Sequence, residues 1–69
     1  MIINGPAFKK ARESRLLSIT ELGKKAEVSA TVIKNLELGK ARRLESIRKV
    51  IAAFELTIDE ARAQRLIAD

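Results

Sequence analysis

The stretch Ser18 to Gly39, SITELGKKAEVSATVIKNLELG, leaves this chain little freedom. Ser18 and Glu21 stand at the spacing of a capping box, in which hydroxyl and carboxylate each satisfy the other's backbone amide, so a helix should begin at Ile19. Leu22 and Ala26 give that helix one apolar side. The pattern breaks over Glu27-Val28, and Ser29 is placed to cap a second helix from Ala30. Ile33 and Leu36 supply its buried side, Val32 lies at the edge, and Gly39 sits where a glycine closes a helix. Ala30, Thr31, Lys34 and Asn35 fall on the opposite face. Two short helices across a tight turn are the result, the second showing small, polar and basic groups to solvent.

At 69 residues the chain has material for one domain, covering 1–69, with a small core. It has no cysteine, so neither a disulfide framework nor a thiolate metal site is available. Phe8 and Phe54 are its only aromatics, which leaves almost nothing for stacking on single-stranded bases. No apolar run approaches the roughly 20 residues needed to span a bilayer. The opening MIINGPAFKK lacks the apolar core of a secretory signal, so an intracellular protein without a membrane partner is expected. Histidine is absent too, as are a glycine-rich phosphate loop and clustered carboxylates. The parts of an enzyme are therefore missing, and no catalytic residue, metal ligand, cofactor or small-molecule substrate is assigned.

Charge is uneven along the chain. Residues 1–49 carry 12 Lys or Arg against five Glu, whereas residues 50–69 carry two Arg against four acids. The positive field therefore surrounds the helix pair, as phosphate binding requires.

Residues 1–5 are expected to fray, with Asn4-Gly5-Pro6 launching a first helix that runs from about Pro6 to Arg15 or Leu16. After the central pair, the basic loop Lys40-Ala41-Arg42-Arg43 leads to a fourth helix over about 44–54, where Leu44, Ile47, Val50, Ile51 and Phe54 recur at helical spacing. Thr57 and Glu60 form a second capping box, starting a fifth helix through about Ile67. No segment alternates with period two. The expected fold is all-α, a compact bundle of five short helices. Its core should be Phe8, Ala11, Leu17, Leu22, Ala26, Val28, Ile33, Leu36, Leu44, Ile47, Val50, Ile51, Phe54, Leu56 and Ile58.

Laid out this way, helices two and three form a helix-turn-helix. Over about Phe8 to Ala61 the chain resembles the Cro/repressor (Xre-type) helix-turn-helix family, whose domains have a lambda-repressor-like fold. The resemblance rests on FKKARESRLLSITELGKKAEVS, on VIKNLELGK and on the apolar spacing of LESIRKVIAAFELTIDEA. Leu22, Ala26, Val28, Ile33 and Leu36 match the family's apolar positions. Arg12 and Glu37 fall where the family pairs an arginine of helix one with a glutamate ending the recognition helix, which implies a structural ion pair. Gly23 falls where a small residue lets the two helices cross closely. Ile19 stands where the family often has a phosphate-binding glutamine, Glu27 where the turn often has glycine, and Leu38 where a polar phosphate contact is frequent. The loop before Leu44 is about one residue short and lacks the common proline.

The resemblance implies a sequence-specific double-stranded DNA-binding transcriptional regulator, a small phage or bacterial repressor, with the recognition helix of about 30–38 in the major groove. Ala30, Thr31, Lys34 and Asn35 occupy the positions that face base edges. Asn35 suits adenine, Lys34 suits guanine or a phosphate, Thr31 offers a hydroxyl and a methyl group, and Ala30 can meet a thymine methyl. Ser18, Ser29, Lys40, Arg42 and Arg43 are candidates for phosphate contacts. Lys9, Lys10, Lys24 and Lys25 are explained equally well as a solvated helix face. A homodimer on DNA is expected, through helix five with the apolar end Leu66-Ile67, or through Leu38. The implied location is the cytoplasm of a bacterial or phage-infected cell. Two rival readings remain: a protein-interaction module such as an antitoxin or adaptor, and the DNA-binding piece of a longer repressor.

Overall fold

The computed structural model describes residues 2–40 and 43–68. Five helices follow in order: α1 (Gly5–Ser14), α2 (Ile19–Ala26), α3 (Ala30–Glu37), α4 (Leu44–Ala53) and α5 (Ile58–Ala63). Two short strands, β1 (Ile2–Ile3) and β2 (Ile67–Ala68), pair antiparallel with Ile2 opposite Ala68 and Ile3 opposite Ile67. Apart from that ribbon the fold is all-α.

Polar caps decide where the helices start. The Asn4 side chain accepts from the Ala7 N–H at 3.2 Å. Ser18 Oγ accepts from the Glu21 N–H at 3.0 Å, while the Ser18 N–H donates to Glu21 Oε1 at 2.9 Å. Thr57 and Glu60 repeat that box at 3.1 and 2.9 Å. Ser29 Oγ accepts from the Val32 N–H at 3.2 Å. α4 begins without a side-chain cap.

The carboxyl ends share one device. Each helix closes with a left-handed residue whose own N–H, and that of its successor, turn back onto the last-turn carbonyls. The left-handed residues are Leu16, Glu27, Gly39, Glu55 and Arg65, with φ between 57° and 75°. The closing bonds run from Leu17 to Arg12 (3.3 Å), Val28 to Gly23 (2.9 Å), Lys40 to Asn35 (2.8 Å), Leu56 to Ile51 (3.2 Å) and Leu66 to Ala61 (2.9 Å). Four of those donors are apolar and turn inward against the core; Lys40, after α3, is exposed.

The core gathers Phe8 from α1, Leu22 and Ala26 from α2, Ile33 and Leu36 from α3, and Ile47, Val50 and Ile51 from α4. The Phe8 and Phe54 rings meet at 6.3 Å between centroids, and the Arg15 guanidinium lies 4.8 Å over the Phe54 ring. Ala11, Leu17, Val28, Leu56 and Ile58 are half-buried and pack against this cluster.

Four expectations are corrected. Residues 2–5 do not fray, because the Asn4 N–H donates to the Leu66 carbonyl at 2.9 Å and Gly5 is buried in α1; Met1 lies outside the described residues. α5 stops at Ala63 rather than Ile67, because Arg65 turns left-handed and sends the chain back along β1. Leu44, placed in the core, is 41 % exposed at the start of α4, and Ala53, Ala61, Leu66 and Ile67 are buried instead. Leu66 and Ile67 are consequently unavailable as an apolar surface for a second copy.

Candidate nucleic-acid interface

α2 and α3 cross at Gly23. A Cβ there would lie 2.9 Å from the Val28 carbonyl oxygen and 3.4 Å from the Ala30 nitrogen, so the turn is pressed directly onto α2. Glu27 makes the turn at φ 60°, a conformation that costs a non-glycine residue about 1 kcal/mol.

On α3, Ile33 and Leu36 are fully buried, and Ala30, Thr31, Lys34 and Asn35 all lie on the exposed side. That follows from spacing, since residues three and four apart share a helix face. Ser18, Ser29, Lys40 and Arg43 are also exposed, Ser29 immediately before α3 and Lys40 three residues after it. Arg42 lies outside the described residues.

The starts of the two helices differ electrostatically. α2 carries Glu21 in its first turn, and the Ser18 N–H holds that carboxyl below its ordinary range, with the Ser18 side chain and Lys24 adding to the effect. An ionised carboxylate already occupies that positive end and opposes a phosphate there. No acidic residue stands in the first turn of α3. Its amino end therefore keeps its attraction for anions. Ile19, at the first position of α2, packs against the core and offers no donor.

Behind the face, Arg12 holds the end of α3. Arg12 Nε lies 2.7 Å from Glu37 Oε2 and its Nη2 3.2 Å from Glu37 Oε1, while Nη1 donates to the Leu17 carbonyl at 2.8 Å. Both side chains are about nine-tenths buried, 10 % and 8 % exposed. The Glu37 hydrogen bond raises the Arg12 pKa against the opposing pull of burial. Three of the guanidinium's donors are thus matched, which is what a buried charge requires.

A second support was not visible in the sequence. Gly5, at the start of α1, lies against the backbone of Glu37 and Gly39. The contact is between backbones far apart in the chain, and no local pattern encodes it.

Among the described residues, no group of three or more His, Cys, Asp or Glu gathers as a metal site, and no helix is long and apolar enough to cross a membrane.

A close-crossed helix pair with a polar outer face on its second member defines a helix-turn-helix domain of the DNA-binding class. A family model described as helix-turn-helix matches residues 8–60, and the chain belongs to that family, of the Xre (Cro/repressor) type, whose members are DNA-binding regulators. No curated relative matches the chain.

Proposed function

We propose that this protein is a Cro- or repressor-like transcription regulator that reads duplex DNA by laying α3 in the major groove. The observation that carries the reading is the exposed face of α3: Ala30, Thr31, Lys34 and Asn35 opposite fully buried Ile33 and Leu36. Asn35 is the candidate for bidentate pairing with adenine and Lys34 for donation to guanine O6 or N7. Thr31 and Ala30 suit the thymine methyl. Ser29, with the open amino end of α3, and Lys40, Arg42 and Arg43 take the flanking phosphates, and Ser18, whose helix end already holds the Glu21 carboxylate, is the weakest of the candidates.

The domain measures 27 × 22 × 18 Å. Two reading helices on successive major grooves must stand about 34 Å apart, so one copy cannot supply both and a homodimer on DNA is proposed. With Leu66 and Ile67 buried, the surfaces left for pairing are the outer side of α5 and Leu38, which is 59 % exposed. Leu38 shares an open groove with exposed Ile2, the observation that favours a protein partner as the second reading. The proposed location is the bacterial cytoplasm.

The test is selection from a pool of random duplexes at low and moderate salt, with the parent and Lys34→Ala/Asn35→Ala side by side. The parent should enrich a palindromic site, and the double variant should keep only salt-sensitive, sequence-indifferent binding. A parent that enriches nothing sinks the proposal.

A further inference from the structure

We infer that Gly5 is a positioning residue for the reading helix, seating the amino end of α1 on the carboxyl end of α3 and thereby setting where α3 presents its face. The inference rests on the DNA-reading proposal above and adds a determinant that touches no DNA.

A side chain at Gly5 would drive its Cβ into the Glu37 carbonyl oxygen, 2.8 Å from the Glu37 carbonyl carbon and 2.9 Å from the Gly39 nitrogen. Ordinary contact begins at 3.4 Å. Something must therefore move by at least about half an ångström, and functional constellations need their geometry held within about 0.5 Å. Gly5 lies in an ordinary helix, so glycine is required there for approach and not for its backbone angles.

The amino end of α1 is not free to retreat. Its preceding residue, Asn4, donates its N–H to Leu66 at 2.9 Å and accepts from the Phe8 N–H at 3.1 Å. The ribbon of β1 and β2 lies directly before it, anchored by buried Leu66 and Ile67. On the other side, the carbonyls of Asn35 and Leu36 are held by the N–H groups of Lys40 and Gly39. A methyl at residue 5 thus pushes on α3. The Arg12–Glu37 pair joins two side chains that adjust by rotation, so it fixes the same end less rigidly than a backbone seat does. Asn35 lies only two residues before Glu37, within the last turn of α3, and inherits any displacement.

The experiment compares the parent, Gly5→Ala and Ile3→Ala, the last loosening the ribbon without crowding the seat. Each is titrated at one salt concentration with the duplex the parent selects and with a scrambled duplex, and amide NMR shifts are recorded without DNA. Gly5→Ala should keep its helical signal and its scrambled-duplex affinity within about threefold. Its preference for the selected duplex should fall at least tenfold, with shift changes reaching Asn35 to Gly39. If Gly5→Ala does not fold, Ile3→Ala carries the test, with a preference lowered at least threefold and changes in the same α3 amides. Unaltered preference, or shift changes confined to residues 2–8, in the folded variant overturns the inference and leaves the DNA reading intact. A parent that selects no duplex overturns both, a result distinct from the first because it needs no variant.

Discussion

Leu16 holds φ 57° while 90 % of its side chain lies in solvent. It makes no packing contribution that would offset the strain of a left-handed, γ-branched residue. Leu16→Gly should therefore stabilise the domain by about 0.5 kcal/mol, since the left-handed penalty slightly exceeds glycine's entropic cost. For a domain of this size that is roughly 3 °C in melting temperature, readable by circular dichroism. A melting temperature that falls would show that the left-handed penalty at Leu16 is smaller than glycine's entropic cost. The same residue class explains why helix ends were hard to read. Glycine is the usual sign of a left-handed close, and only Gly39 provided it; Leu16, Glu27, Glu55 and Arg65 adopt the conformation without announcing it. What the sequence does contain is an apolar residue just after each of those four positions, Leu17, Val28, Leu56 and Leu66. Read as the inward contact of a helix close, Leu66 would have ended α5 where the structure ends it.

Helix starts were legible because their chemistry is local. Ser18 with Glu21 and Thr57 with Glu60 announce α2 and α5 within four residues, and the exposed face of α3 follows from its buried one by helical spacing. The ribbon was not, because two residues per strand are too few to show an alternation of period two. Long-range ties between elements are equally silent in composition: the Arg12–Glu37 pair was expected from the family resemblance alone and is present at 2.7 Å, whereas the Gly5 seat had no sign of any kind. The energetic weight of the pair can be measured. Glu37→Ala leaves the Arg12 charge nine-tenths buried without its partner and should cost about 3 kcal/mol in urea denaturation. Arg12→Met with Glu37→Met removes both charges and should recover most of that loss, because an apolar pair of similar volume needs no hydrogen bonds. If the double variant is as unstable as the single one, the pair contributes specific attraction beyond compensating its own burial.

At the scale of the molecule, charge and shape point the same way. The surplus of Lys and Arg lies in residues 1–49, which include the helix pair, and the more acidic remainder includes the end of α4, α5 and β2. The pairing of Ile2 with Ala68 has a topological consequence as well. Paired strands run about 4.8 Å apart, so a few glycines placed between Ala68 and Ile2 would close residues 2–68 into a ring without distorting the ribbon. Cyclising the polypeptide that way removes unfolded conformations while leaving the native one alone. On loop-closure entropy for a ring of this size the gain is roughly 4 kcal/mol, visible as a higher urea midpoint for the cyclic form than for its linear counterpart. Such a ring could then be cut at a solvent-facing turn elsewhere, and the resulting permutant would carry its new ends far from the old ones.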